Sequence, residues 1–331
     1  MKQPDHLVIY LSGRCDLACP YCYAKGVDRR IVTAAALEKA LEDFAAAKPE
    51  APKFTVLGGE PLFCRDRLYQ SLAGVRRLFG PAPVHVFTNG LRLKKGEASA
   101  LIRRGVKLTV SLDGRPGGAR RRAPAIPPAL REKVSASAVV SPANAGELAS
   151  NMLYLLEQGY TRLAWSPDIT AAWDKSALAK LKTSARALLL EYLRRLKSGR
   201  GVWELANGYE AVALAARGER PGPCRNIALA PDGFFYPCDK MLSAPAKELV
   251  KFRIKAGGEG REKFFSLARG SGLKAAQSMC PVAPWAAARF GPKKRAVPAG
   301  QAAARGVAAR WLAAAAKAGL ASPAFRRIHG I

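Results

Sequence analysis

The sequence predicts an α/β fold: a partial (β/α)6 barrel of the TIM type with a C-terminal extension made of a β-hairpin and helices. Three observations predict it. Six short apolar runs alternate with helical stretches over roughly the first 200 residues, and parallel strands joined in this way need right-handed helical crossovers. Polar and thiol side chains gather just after these runs, at the strand ends where parallel α/β barrels keep their chemistry. Further along, Pro231-Asp232-Gly233 lies between two apolar runs, a hairpin signal. The expected division is a barrel over 1–200, an extension over 201–290 and a basic Ala/Arg-rich appendage over 291–331.

The elements follow in order. Residues 6–12 read as a buried strand ending at Gly13. Thr33 is an N-cap candidate for a helix over 34–47. Lys53–Leu57 is the second strand, 64–79 a helix, and Val84–Phe87 the third strand, which runs into Thr88-Asn89-Gly90. A helix near 94–104 leads to the fourth strand, Val106–Val110, and then to Ser111-Leu112-Asp113-Gly114. Residues 115–131 break the rhythm as a basic loop with Arg115, Arg120, Arg121, Arg122 and Arg131 among prolines and glycines. Val134–Val140 is the fifth strand, 145–158 a helix stopped by Gly159, and Leu163–Trp165 the sixth strand. A long helix over 174–198 has the periodicity that covers an apolar face. In the appendage, the Ala-rich segment 301–318 with Trp311 and Leu312 reads as a helix laid on the body, and Lys293-Lys294-Arg295 as a solvated charge run.

At 331 residues and 49% hydrophobic, the chain supports a large core. No apolar run reaches the length of a membrane span, and residues 6–12 are too short an apolar run for an export signal. A cytoplasmic location without a membrane partner is the expectation. Its seven cysteines are Cys15, Cys19, Cys22, Cys64, Cys224, Cys238 and Cys280. An odd number without an export signal argues for reduced thiols and metal ligation rather than disulfides. The net charge of +29 makes polyanions candidate partners: nucleic acid, an acidic peptide or an acidic protein. A composition rich in Ala, Gly, Arg and Pro is the plainer source of that charge.

The densest chemistry is Cys15-Asp16-Leu17-Ala18-Cys19-Pro20-Tyr21-Cys22, spaced C-x3-C-x2-C. Three thiolates on one loop suit a soft metal centre. A [4Fe–4S] cluster normally takes four cysteines, so three leave one iron open to an outside ligand. A structural zinc loop or three reduced thiols are the other readings of the triplet. The spacing resembles the signature of the radical S-adenosylmethionine (radical SAM) enzymes. There the open iron is chelated by SAM, which is cleaved to methionine and a 5′-deoxyadenosyl radical that takes a hydrogen atom from substrate. The resemblance implies that Cys15, Cys19 and Cys22 hold the catalytic cluster and that Tyr21 packs near the adenine. Gly58-Gly59-Glu60-Pro61, one strand later, resembles the family motif that holds the SAM amino group, with Glu60 able to neutralise an ammonium and the glycines allowing close backbone approach to a ligand. Asn89 stands at a family-like strand end. Ser111 and Asp113, two apart along an extended chain, point the same way and match the position where the family bonds the ribose hydroxyls. An Asp-Gly turn without a ligand is the alternative there.

Cys224 and Cys238 flank the Pro-Asp-Gly hairpin, which should fold them together, and Cys280 is the remaining later cysteine. This block resembles the auxiliary-cluster extensions called SPASM and, in shortened form, twitch. The resemblance implies one auxiliary [4Fe–4S] cluster on Cys224, Cys238 and Cys280; too few cysteines follow Cys238 for a second. Cys64 reads as a buried thiol or as a hydrogen-atom donor near the SAM pocket, and His6, His85 and His329 carry no assigned chemistry. The function expected is modification of a peptide or protein, with maturation of a ribosomal peptide leading, an acidic leader matching the charge, and flavodoxin or ferredoxin as electron donor. Small-molecule cofactor biosynthesis and nucleic-acid modification are the alternatives. Charge favours the last, but no aromatic platform or RNA-binding motif accompanies it.

Overall fold

The computed structural model describes residues 3–114, 126–206, 224–270 and 299–329. In chain order the strands and helices are β1 (His6–Tyr10), α1 (Ala34–Ala46), β2 (Lys53–Leu57), α2 (Arg65–Phe79), β3 (Val84–Thr88), α3 (Glu97–Arg103), β4 (Val106–Ser111), β5 (Ser135–Val140), α4 (Leu148–Glu157), β6 (Arg162–Pro167) and α5 (Lys175–Ser198). They continue with β7 (Glu204–Leu205), β8 (Asn226–Leu229), β9 (Phe235–Tyr236), α6 (Ala246–Leu249), α7 (Arg261–Gly270), α8 (Gln301–Gly319) and α9 (Pro323–His329). The fold class is the expected one, α/β with a mostly parallel sheet, consistent with a partial TIM-like barrel. The described residues fall into two compact units. The first holds 3–109 and 224–270; the second holds 110–114, 126–206 and 299–329.

In the first unit the strands lie in the order β3-β2-β1-β8-β9, all parallel except β9. β1 is the axis of this sheet. Leu7 pairs with Phe54 on one side and Ile227 on the other, and Ile9 with Val56 and Leu229. A strand bonded on both edges and covered on both faces needs an unbroken apolar run, which is why Leu7, Val8, Ile9 and Tyr10 are all buried. α1 begins where Thr33 accepts the Ala36 amide at 3.2 Å through Oγ1, satisfying one of the orphan donors of the first turn. Its buried Phe44 meets Phe54 edge-on at 5.8 Å and packs on Phe79.

In the second unit β5, β6 and β7 run parallel in that order. β5 alternates buried and half-buried residues along its length. α5 is capped by Asp174, which accepts the Ala177 amide at 2.7 Å, and ends on Gly199 in the left-handed region. α8 packs on α5 and β6. Trp311 stands 5.8 Å from Trp165 and 6.2 Å from Tyr192, ring centre to ring centre, and Gln301 donates to the Asp168 carbonyl at 2.6 Å. Gly300 (φ 74°) lets the chain pass Trp173, whose carbonyl would lie 2.0 Å from any Cβ there. The Ala-rich helix is thus part of a core, its small residues allowing close packing, and not a loosely attached tail.

Boundaries moved where backbone chemistry required it. Single 3-10 turns at Pro61–Cys64 and Pro142–Glu147 precede α2 and α4, because proline suits a first turn and cannot donate within it. α3 starts at Glu97 rather than near 94 because Gly96 takes φ 79°. β7, two residues long, had no readable pattern. The described part of the basic loop is Ile126 to Arg131, while Arg115, Arg120, Arg121, Arg122 and Lys293-Lys294-Arg295 lie outside the described residues. Among the described residues no helix is long and apolar enough to cross a membrane.

His85, half-buried, and His329, buried, are held within the fold. His85 Nε2 lies 3.0 Å from Thr109 Oγ1, and His329 Nε2 accepts the Leu205 amide at 3.4 Å. Burial pushes both from 6.5 down to about 4, with Lys107 adding to the effect at His85. The unfolded chain therefore binds more protons than the folded one across that interval, and stability present above pH 6.5 is lost as pH falls towards 4. The urea midpoint is expected to drop over this range, with a shallower slope in His329→Gln.

Candidate active site

The cysteine loop leaves the C-terminal end of β1 and is pinned at its base. Leu11 donates to the Leu57 carbonyl at 3.0 Å, Gly13 to the Asp28 carbonyl at 2.7 Å, and Val32 returns to the Leu11 carbonyl at 3.0 Å. Within the loop the Leu17 amide points at Cys15 Sγ at 3.4 Å, and the Cys22 amide closes a turn on the Cys19 carbonyl at 3.1 Å. Cys19 is buried; Cys15, Tyr21 and Cys22 are half-buried. Burial pushes the Cys15 thiol up, and the neighbouring anions Glu60, Asp16 and Cys22 push the same way against the Leu17 amide. Among the described residues no three of His, Cys, Asp and Glu are gathered so as to hold a metal ion. An iron–sulfur cluster spreads its thiolates over several irons, so the donor set of three thiols on one loop, with an amide aimed at one sulfur, fits a cluster better than a single ion.

Gly58 and Gly59 let two stretches of backbone approach each other closely. The amides of Gly59 and Glu60 donate to the carbonyls of Ser12 and Arg14, each at 2.7 Å. A Cβ on Gly59 would stand 2.4 Å from the Arg14 oxygen, and one on Gly58 would stand 3.0 Å from the Ser12 oxygen. The glycines let the end of β2 lie against the root of the cysteine loop. Glu60 is 1% exposed. Its carboxylate accepts from the Leu62 amide at 3.0 Å, Thr88 Oγ1 at 2.6 Å and the Asn89 amide at 2.7 Å. Burial raises its pKa even though these donors pull it down. Three of roughly four acceptor sites are thus taken by the chain, and the carboxylate is a brace between β2 and β3.

Asn89 faces the loop. Its Nδ2 donates to Asp16 Oδ1 at 2.7 Å and lies 3.9 Å from Cys15 Sγ. Arg92 completes the clamp, 3.3 Å from Asp16 Oδ2, with its guanidinium 3.4 Å from the centroid of Phe63. Asp16, Thr88 and Arg92 were not singled out from the sequence. Asp16 occupies a position between cysteines that the spacing leaves open, and nothing local marks Arg92. Cys64 is buried beside Ser12 and Arg14.

Ser111 and Asp113 belong to the second unit. Ser111 ends β4, half-buried, and Asp113 Oδ1 accepts the Val139 amide at 3.3 Å. Gly114 (φ 114°) is forced by Asn151, 2.3 Å from any Cβ at that position.

The expected hairpin is present. β8 and β9 pair antiparallel with Ala228 opposite Tyr236, and continuing that register by two residues sets Asn226 opposite Cys238. Asp232 bonds the Phe234 amide at 3.1 Å and the Tyr236 hydroxyl at 2.7 Å, and Gly233 takes φ 84°. Cys224 is exposed and Cys238 half-buried; Cys280 lies outside the described residues. The residue after each motif cysteine ties the two regions together: Tyr23, following Cys22, donates to the carboxylate of Asp239, following Cys238, at 3.0 Å. Lys240 pairs with that carboxylate and sits 4.1 Å from the centre of the Tyr23 ring.

Residues 9–122 match the model of the Radical SAM superfamily. The chain carries a radical SAM domain. It is a radical SAM enzyme, and that family implies a [4Fe–4S] cluster and SAM. Its fold is similar to that of anSMEcpe with bound AdoMet and the Cp18Cys peptide, at 15% identity, TM-score 0.65 and 98% coverage of both chains. It is similar again to Streptococcus suis SuiB bound to the precursor peptide SuiA, at 19% identity and TM-score 0.51, over 76% of this chain and 62% of that one. No curated protein matches the chain in sequence.

Two substitutions test the braces of this radical SAM site. Gly59→Ala is expected to cost at least the ~1–3 kcal/mol of an overpacked site, because the obstacle is backbone. Glu60→Gln sets an amide NH2 against donors and is expected to cost ~1–3 kcal/mol. Denaturant unfolding checks both.

Proposed function

We propose that this radical SAM enzyme abstracts a hydrogen atom from a peptide or protein substrate, with Cys15, Cys19 and Cys22 holding the catalytic cluster. The observation that carries the reading is the three-thiol loop at the end of β1, with Gly59 and Glu60 hydrogen-bonded to its root. When bound, the cluster supplies the electron that cleaves SAM to methionine and a 5′-deoxyadenosyl radical. The protein's share is placement. Asn89 and Arg92 hold Asp16 and so fix the loop between the first two thiols. Gly58, Gly59 and Glu60 are proposed for the SAM amino group, the Glu60 carboxylate keeping acceptor capacity beyond the bonds from Leu62, Thr88 and Asn89, and Tyr21 is proposed for the adenine. Ser111 and Asp113 are proposed for the ribose hydroxyls.

The hairpin supports an auxiliary iron–sulfur site on Cys224 and Cys238, with Cys280 as a further ligand, in an extension of the SPASM or twitch kind. The preference for a peptide substrate rests on analogy of fold with peptide-bound structures, and on a charge of +29 suited to an acidic leader. Flavodoxin or ferredoxin is the proposed electron donor, and the cytoplasm the proposed location.

Anaerobically reconstituted protein is expected to hold about eight irons, four per cluster. The Cys15/Cys19/Cys22 triple Ala variant should lose about half of them and all 5′-deoxyadenosine formation under reductant. Retained cleavage in that variant would refute the assignment. Cys224→Ala with Cys238→Ala should lose the other half and keep some SAM cleavage.

A further inference from the structure

Arg261 opens α7 and is 1% exposed, one of the largest fully buried side chains in the protein. Its Nη2 donates to the Cys224 carbonyl at 2.8 Å and to the Asn226 carbonyl at 3.1 Å. The turn before it is shaped to admit it. The Arg261 amide donates to the Gly258 carbonyl at 3.2 Å, and Gly258 takes φ 91°, where a Cβ would lie 2.9 Å from Arg261 Cδ and 2.7 Å from the Pro4 ring. A buried guanidinium is expensive unless it is paired and hydrogen-bonded. Here it is held against the backbone of Cys224, the first thiol-bearing residue of the hairpin, from 37 residues away in sequence (261−224).

We propose that Arg261 is the charge-compensating residue of the auxiliary iron–sulfur site at Cys224 and Cys238, and that it raises that cluster's reduction potential. The inference rests on the auxiliary-site reading above. Thiolate-ligated clusters are anionic and gain a further negative charge on reduction; a fixed cation beside them favours the reduced form. Arg261 acts through the cluster and its ligand segment, so it is a positioning residue. It also explains why a helix opens with a buried arginine, against the macrodipole preference for acidic groups at that end.

The test is a potentiometric titration, followed by electron paramagnetic resonance, of the reconstituted full chain. It compares the parent, Arg261→Gln, Arg261→Lys and the Cys224→Ala/Cys238→Ala double variant. The double variant identifies which signal belongs to the auxiliary site. Arg261→Gln, which keeps a donor for the carbonyls but no charge, should leave the iron content and the other signal unchanged. Its auxiliary signal should move to lower potential by at least a tenfold change in the reduced-to-oxidised ratio, ~59 mV for one electron. Arg261→Lys should titrate like the parent. Full iron with an unmoved potential in Arg261→Gln, or equal shifts in the Gln and Lys variants, would overturn the proposal. If Arg261→Gln fails to load the auxiliary site, a loaded Arg261→Lys at parental potential supports the charge role, and an unloaded one overturns it. A parent with one cluster, unchanged by loss of Cys224 and Cys238, would remove the auxiliary site itself, a result read without touching Arg261.

Discussion

The constraint on which the first unit depends is the double parallel pairing of β1. Its backbone is bonded to β2 on one edge and to β8 on the other. One end of the strand runs directly into the three-cysteine loop. The same strand thus aligns the Gly58-Gly59 segment, which follows β2, and the hairpin, which begins with β8. Moving β1 by one residue would exchange its two faces and pull the Ser12 and Arg14 carbonyls at the root of the loop away from the Gly59 and Glu60 amides that bond them. The radical SAM site is built as an extension of sheet register, and its precision is that of a ladder and not of a free loop.

Around this strand lie several charged side chains tied to backbone segments, with Glu60, Asp239 and Arg261 buried and Asp16 exposed. Glu60 gathers the ends of β2 and β3. Asp16 is held from two directions by Asn89 and Arg92. Asp239 joins Tyr23 and Lys240, so the chain just after Cys22 and the chain just after Cys238 share one hydrogen bond. Arg261 collects the start of β8. Buried polar groups are expensive unless paired, and here the pairing is what fixes the position of the thiol-bearing segments. Burial works against the charge on Lys240, but Asp239 and Tyr23 raise its pKa on balance, so the cation stays charged beside the Asp239 carboxylate.

The second unit follows a plainer logic. β5 and β6 pair along their whole length, and an aromatic group of Trp165, Tyr192 and Trp311 fills the space between sheet and helices. Small residues along α8 allow that approach, since an alanine surface leaves room for the neighbouring helix and for the indole rings. Ser111 and Asp113 stand at the end of β4, Asp113 bonded to the β5 backbone, so their positions are again set by strand pairing.

The amino-acid sequence by itself determined the alternation of strands and helices, the three-thiol loop, the Thr33 cap and the Pro-Asp-Gly hairpin. Each is written in contiguous residues: an apolar run, a fixed cysteine spacing, a capping side chain, a residue free to take positive φ. Only the tertiary structure decided that Gly58 and Gly59 make room for a carbonyl-lined loop root, and that Glu60 bonds the chain at the ends of two strands. It alone showed that β7 exists, that the Ala-rich C-terminal helix is core, that Asp16 meets Asn89 and Arg92, and that Arg261 is buried against the carbonyls of Cys224 and Asn226. Those outcomes depend on partners tens to hundreds of residues away, and no local pattern encodes which distant carbonyl, thiol or ring a side chain will meet once the sheet has closed its register.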